Sequence, residues 1–284
     1  MISRLRVISL LIIFYKMYHW VLEKNIGEKM SDLRFVKTQE QLIEAAENNL
    51  EFFDAKMHAI KAWYKTEPGL IEKLIPAPLS VHADPMVRIV ISRVFVDLMG
   101  GMEFGAATFG VNCMYQGKEG IYEITMPMEG ESVVVGGRET YGEPKKIADV
   151  NASKNGEDCV ATVTRHGITY LELKGKTAES LDTSSFTDDV YCFKVFPSCE
   201  QNKPVDQNPL LVRINMHRTQ SVLTKLDGEI ILRESPMDPV VDLPVKEMVS
   251  LVWEEGTSSS NASVVEEVDI MSYVPFMHSR YDSV

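Results

Sequence analysis

The stretch VATVTRHGITYLEL, residues 160–173, decides the fold class of this chain. Its two halves, residues 160–164 and 168–173, are rich in β-branched and aromatic residues, which favour strands. Arg165, His166 and Gly167 separate the halves, and a short connection that contains glycine is typical of a β-hairpin. The stretch therefore predicts two antiparallel strands.

Similar short runs continue on both sides of this hairpin from residue 87 onward, separated by Gly, Pro and Asn. No strand–helix–strand alternation appears, so a doubly wound α/β fold is disfavoured. We predict a mostly β (α+β) fold with an antiparallel barrel-like or sandwich core and a few peripheral helices. The other candidate strands are residues 87–96, 107–115, 121–126, 132–135, 191–196, 210–216 and 229–233.

Two helices are predicted before the strands. Residues 38–41, TQEQ, match a capping box, and apolar residues then recur at helical spacing from about residue 39 to the mid-50s. Pro68 suits the start of a second, short helix that ends before Pro76. The serine-rich residues 257–263 are expected to form a loop.

Composition excludes several classes of function. The 284 residues are 45% hydrophobic and carry a net charge of −12, which disfavours a surface that binds nucleic acid. The four cysteines form no C-x-x-C pair and no zinc-finger spacing with histidine, so no metal site is predicted. GGRETYG does not match G-x-G-x-x-G, so no dinucleotide cofactor is expected.

The first 29 residues differ from the rest, with five basic and two acidic side chains. Their apolar run, residues 7–15, is much shorter than the roughly 20 residues of a membrane-spanning helix. We consider three explanations: a non-native or alternative start upstream of Met30, an interfacial anchor, or a targeting segment. We predict one domain over residues 30–284 and a cytoplasmic location.

The segment GGRETYGEPKK, residues 136–146, places two lysines after a proline. A Lys-Lys pair in a loop is usually solvated and inert. A lysine attacks a ketone only without its proton, so a pKa of about 10.4 must fall to near 7. Burial or a nearby cation can cause that shift, and the apolar flanks and the adjacent lysine offer both.

Four elements together make the chain resemble the acetoacetate decarboxylase family, in which they occur in the same order. The elements are MEFG (residues 102–105), GGRETYGEPKK (136–146), YCFKVFP (191–197) and DLPVKE (242–247).

The resemblance implies that Lys145 is the lysine that forms a Schiff base and that Lys146 is its neighbour in the family's loop. The family's lysine is an established case of an amine activated by desolvation or by a neighbouring cation. Glu103 matches an active-site carboxylate that orients the substrate or moves protons. The implied substrate is a small β-keto acid, acetoacetate by default. The resemblance also implies a large homo-oligomer and no metal or cofactor.

Two positions depart from the family pattern. Val90 stands where a second active-site glutamate is expected, and the family's carboxylate-binding arginine falls near Lys56 or Met57. Two alternatives therefore remain: an aldolase or dehydratase that uses the same lysine, and a binding protein without turnover. Arg138 and Glu139, beside the lysines, are expected to form structural ion pairs.

Overall fold

The computed structural model describes residues 35–48, 55–97 and 101–282. The chain divides into two units, Met1–Phe52 and Phe53–Val284. The predicted extension, residues 1–29, lies outside the described residues. Among the residues described, no helix is both long and apolar enough to cross a membrane.

Helix α1, Gln39–Asn48, is the described element of the first unit. Its N-terminus is the predicted capping box. The Thr38 N–H donates to Gln41 Oε1 at 2.9 Å, and the Gln41 N–H donates to Thr38 Oγ1 at 3.2 Å.

The second unit is a large sheet with few helices, which confirms the predicted fold class. Its strands, in chain order, are β1 (Ala55–Lys65), β2 (Ser80–Val81), β3 (Val87–Val96), β4 (Met102–Tyr115), β5 (Lys118–Met128), β6 (Lys145–Ile147), β7 (Asp149–Asn155), β8 (Asp158–Arg165), β9 (Ile168–Ser180), β10 (Ser185–Lys194), β11 (Leu210–Leu232) and β12 (Glu247–Glu267). The helices are α2 (Glu131–Tyr141), α3 (Ile270–Tyr273) and the 3₁₀ segments Ile71–Lys73, Val240–Asp242 and Val274–Arg280.

Seven strands close into a barrel in the order β10-β5-β4-β3-β1-β12-β11. Strand β10 closes it, because it pairs with β5 on one side and with β11 on the other. Most neighbours are antiparallel, whereas β10 and β6 both run parallel to β5. Strands β9, β8 and β7 continue from the second half of β11 and pack over β1, β3 and β4.

Strand alternation gives the barrel wall two different faces. On β1, Ile60, Ala62 and Tyr64 point outward into the main hydrophobic core, which β7 to β9 cover. The intervening Met57, Ala59 and Lys61 face the barrel interior. The larger core thus lies outside the barrel, and the interior is left to a second, smaller set of residues.

The hairpin that decided the fold class is confirmed. Strands β8 and β9 pair antiparallel, and the turn between them consists of His166 (φ 50°) and Gly167 (φ 77°). Both residues adopt the left-handed backbone conformation, as in the two-residue turns that match the twist of a hairpin. Several strands are longer than predicted, and β11 joins two predicted strands into one.

Two of the predicted segments have a different secondary structure. Residues 132–135, predicted as a strand, belong to helix α2, which turns Val134 and Gly137 toward the barrel and leaves Val135 exposed. The serine-rich residues 257–263, predicted as a loop, lie within β12, where they pair with β11. Pairing with a long neighbour outweighs the preference of serine and asparagine for turns.

Candidate active site

The two lysines follow helix α2 through a tight connection. Gly142 ends the helix in the left-handed conformation (φ 72°), and its N–H donates to the carbonyl of Arg138 at 3.1 Å. The Lys145 N–H then donates to Glu143 O at 2.8 Å, an i to i−2 bond that makes a γ-turn around Pro144. Strand β6 begins directly after this turn, so the lysines enter the sheet in a defined orientation.

Lys145 is buried and points toward the barrel interior. Its Nζ lies 2.7 Å from Glu143 Oε2 and 3.4 Å from the backbone oxygen of Val133. Only 11% of the Lys145 side chain and 12% of the Glu143 side chain are exposed. A basic nitrogen and a carboxylate therefore share a nearly dry site beneath helix α2.

Gly137 makes room for this pair. A Cβ atom built on Gly137 would lie 2.5 Å from Lys145 Nζ and 2.6 Å from Lys145 Cδ, and it would overlap Glu143 Oε2. Any other residue at this position would therefore push the lysine or the carboxylate aside. Helix α2 can cover the Lys145 side chain only because position 137 has no side chain.

The surroundings of the pair are apolar. The side chains that pack together in this part of the barrel are Ala106, Ile121, Met126, Met128, Val134, Val190, Cys192, Val212 and Ile214. Burial raises the pKa of the Cys192 thiol well above its usual value, and the nearby charges of Glu143 and Lys145 also act on it. An uncharged, hydrophobic group would be accommodated here without loss of hydrogen bonds.

Lys146 points the opposite way, as the next residue of a strand must. Its Nζ lies 3.0 Å from the backbone oxygen of Met237, 3.4 Å from Asp238 Oδ1 and 3.3 Å from Asp282 Oδ1. Arg165 binds the same two aspartates. The structure thus places the two predicted lysines on opposite faces of β6, with separate partners.

A group of paired charges lies elsewhere in the barrel interior. Three cations each contact a carboxylate: Lys61 with Glu254, Arg88 with Glu123 at 2.5 Å, and Arg218 with Asp188 at 3.1 Å. Burial, assisted by the Arg218 cation, lowers the pKa of Lys61 to about 8. Each cation in this group thus has a carboxylate partner within the barrel.

The C-terminal segment supports the loop from outside the barrel. Arg138 Nη1 donates to Lys145 O at 2.8 Å and to Arg280 O at 2.9 Å. The buried Arg280 donates in turn to the backbone oxygens of Gly142 and Phe193. Arg138 therefore binds backbone carbonyls, whereas the sequence predicted an ion pair with a neighbouring acid.

The family comparison joins these observations to known proteins. The family model described as acetoacetate decarboxylase (ADC) matches residues 41–268, which include Gly137, Glu143 and both lysines. The chain belongs to the acetoacetate decarboxylase family. No group of three or more His, Cys, Asp or Glu that could hold a metal ion occurs among the residues that the structure describes.

The curated relatives within the family differ in their named activities. The acetoacetate decarboxylase of Chromobacterium violaceum is 26% identical over 196 residues, which are 66% of this chain and 76% of that protein. The CLA biosynthesis isomerase of Lactiplantibacillus plantarum is 27% identical over 245 residues, which are 77% of this chain and 85% of that protein.

Solved structures agree on the fold. Acetoacetate decarboxylase from Legionella pneumophila superposes with a TM-score of 0.66 at 19% identity, covering 76% of this chain and 87% of that chain. The enduracididine biosynthesis enzyme MppR, complexed with pyruvate, gives a TM-score of 0.66 at 16% identity, covering 76% and 91%.

Glu103, the carboxylate that the family resemblance indicates, is not brought to the lysines. It lies in the odd-numbered register of β4 with Ala107 and Phe109, which point outward, whereas Phe104 and Ala106 point inward. Its Oε1 accepts hydrogen bonds from Arg93 Nε at 3.0 Å and Nη2 at 2.9 Å. Glu103 is half exposed, in a groove with His58 and Trp253 on the outer side of the barrel.

The residues that depart from the family pattern lie in different parts of the barrel. Val90 is buried in the barrel interior and packs with Met57 and Ala59. Lys56 is at the surface, where it pairs with Asp97 at 2.7 Å. An apolar patch therefore occupies the place in the interior where the family pattern expects a glutamate.

Sequence reasoning missed Glu143, the carboxylate that does contact Lys145. A signal was present, because Glu143 and Lys145 flank Pro144, which restricts the backbone around it. Gly137 and Cys192 were missed as well. Nothing in the sequence shows that helix α2 and strand β10 bring them to the amine.

Proposed function

We propose that the protein is an enzyme in which Lys145 condenses with the ketone of a small β-keto acid and the resulting iminium ion loses CO₂. The observation that carries the proposal is the burial of the Lys145 amine inside the barrel, beside a carboxylate and apolar side chains. Membership of the family, and relatives named as acetoacetate decarboxylases, support it.

The apolar lining favours the chemical step. In the adduct, the iminium is positive and the substrate carboxylate is negative. When the C–CO₂ bond breaks, its electron pair moves into the iminium, and a neutral enamine and neutral CO₂ result. A reaction that removes two charges is helped by surroundings that solvate charge poorly.

This proposal gives Lys146 a structural role, whereas the sequence indicated that it activates the Lys145 amine. Its amine is turned to Asp238 and Asp282, so we propose that it supports the loop. The tuning role for Lys146, the role of Glu103, a homo-oligomeric state and a cytoplasmic location remain predictions.

Borohydride reduction in the presence of acetoacetate tests the proposal. We expect an isopropyl group on Lys145, located by peptide mass, because the adduct that has lost CO₂ retains three carbons. Lys145→Ala should carry no adduct, and Lys176→Met, a change at an exposed lysine, should behave like the original protein. Absence of any mark on Lys145 in the unmodified protein would contradict the proposal and favour a binding protein without turnover.

A second candidate is another reaction of the same imine: isomerisation, dehydration or aldol addition. The contact between Glu143 and Lys145 favours it, because these reactions require proton transfer beside the iminium. The isomerase relative also matches a larger share of this chain than the decarboxylase relative described above. Release of CO₂ from a panel of keto acids separates the two, since only decarboxylation produces it.

A further inference from the structure

We infer that Glu143 is a catalytic acid–base residue, which carries protons between the Lys145 nitrogen and the substrate oxygen. The inference rests on the proposed function of Lys145 and assigns a second member to the same site. Its basis is the 2.7 Å contact between Glu143 Oε2 and Lys145 Nζ, a reacting atom.

Glu143 differs from the other buried acids in how it is held. Glu123 accepts from Arg88, Asp238 accepts two bonds from Arg165, and Glu254 is contacted by Lys61 and Gln220. Among the described residues, the charged group in contact with Glu143 is the Lys145 amine, and Glu143 Oε2, like Glu123 Oε2, receives no well-aligned hydrogen bond. A buried carboxylate oxygen of this kind is costly to keep, which suits a group that must accept a proton.

The surroundings also restrict Glu143 to this task. Pro144 limits the conformations of the preceding residue, and Gly137 leaves space that Glu143 Oε2 and the Lys145 side chain fill. The carboxylate is therefore directed at one nitrogen. A carboxylate at the surface that only pairs with a lysine would be exposed to water and could contact other cations.

The proton balance requires such a carrier. The Lys145 ammonium first gives one proton to the Glu143 carboxylate, and the free amine attacks the ketone carbon as the carbonyl oxygen becomes a hydroxyl by taking a proton from nitrogen. Glu143 then returns its proton to that hydroxyl, the C–O bond breaks, water leaves, and the nitrogen lone pair forms the C=N bond. One ammonium and one ketone thus become one iminium and one water, with no change in total charge.

Glu143→Gln tests this role, because glutamine keeps the size of the side chain but cannot carry a proton at neutral pH. The rate at which Lys145 becomes reducible by borohydride in the presence of acetone should fall by a factor of about 10²–10⁴. Given long incubation, the same final yield should form on Lys145. The matched control is Glu139→Gln, an exposed residue of helix α2, which should leave the rate unchanged.

Two further readouts distinguish proton transfer from a structural role. The shape of the pH–rate profile for adduct formation should change in Glu143→Gln, and Glu143→Asp should restore part of the rate. Exchange of acetone protons with D₂O, followed by NMR, should slow in parallel. Glu143→Asp also serves if the glutamine variant does not fold.

The outcomes separate this inference from the proposed function. An unmodified protein that forms the Lys145 adduct, with a Glu143→Gln variant of equal rate and equal pH profile, would overturn the role of Glu143 alone. An unmodified protein that forms no adduct would overturn the proposed function and, with it, this inference.

Discussion

Gly136 and Gly137 are neighbours in one helix but have opposite surroundings. A Cβ atom on Gly136 would meet nothing within 4 Å, whereas a Cβ atom on Gly137 would collide with Lys145 and Glu143. Both are glycines inside helix α2, where glycine costs about 0.5–1 kcal/mol relative to alanine. At position 137 the site requires a residue without a side chain, which explains the glycine there despite its cost. At position 136 the structure shows no such requirement.

Alanine substitutions at Gly136 and Gly137 should therefore have different effects. Gly136→Ala should raise the free energy of unfolding by about 0.5–1 kcal/mol and leave the borohydride adduct unchanged. Gly137→Ala should reduce the rate of adduct formation by about 100-fold, because the lysine and the carboxylate are displaced. Urea unfolding and mass analysis of the adduct measure both effects. Equal adduct rates in the two variants would show that Gly137 does not position the pair.

At the scale of secondary-structure elements, the C-terminus of helix α2 fixes where the loop that carries the two lysines starts. Gly142 is left-handed, and a Cβ atom there would overlap the backbone of Lys194 on β10. The position therefore restricts the residue in two ways: by its backbone conformation and by the close approach of another strand. Helix α2 and β10 approach each other closely at this glycine.

Comparison with a second left-handed glycine separates these two restrictions. Gly156 (φ 61°), in the turn between β7 and β8, has no atom within 4 Å of a built Cβ. Gly156→Ala should cost about 1–2 kcal/mol, from the left-handed conformation alone. Gly142→Ala should cost about 1–3 kcal/mol more, because of the overlap. Equal losses in urea unfolding would mean that β10 moves away without cost.

At the scale of the whole molecule, the C-terminal segment ties together parts of the chain that are distant in sequence. Asp282 accepts a hydrogen bond from Arg165 Nη2 at 2.7 Å and lies 3.3 Å from Lys146 Nζ. The hydrogen bond from Arg165 holds the pKa of Asp282 well below its usual value, and the Lys146 cation acts in the same direction. Ionised Asp282 therefore stabilises the folded protein.

The sign of the pH dependence follows from this depressed pKa. The stabilisation is fully present above the pKa of an unfolded aspartate, about 3.9, and is lost as pH falls toward the lower folded value. Asp282→Asn should thus destabilise at pH 7, and the difference from the original protein should shrink from about pH 4.5 downward. Asp158→Asn, in an exposed pair with Lys176, should change stability by less than about 0.5 kcal/mol. Urea unfolding from pH 7 to pH 3 checks this, and a constant Asp282→Asn difference would refute the ion-pair explanation.

Local pattern was sufficient for the parts of this protein that depend on neighbours in sequence. The hairpin at His166 and Gly167 and the capping box at Thr38 and Gln41 are examples, because their signals lie within a few residues. The same holds for the conspicuous Pro-Lys-Lys sequence. Residues 132–135 show where local pattern fails, since three adjacent valines suit a strand as well as a helix.

By itself, then, the sequence determined a β-rich fold, and by its resemblance to a known family it singled out Lys145. The tertiary structure decided which groups surround that amine. It placed Glu143 beside Lys145, turned Lys146 to Asp238 and Asp282, and left Glu103 on the outer wall. The physical reason is that the face of a strand to which a side chain points depends on register and bulges, and barrel closure sets these through pairings between residues far apart in the chain.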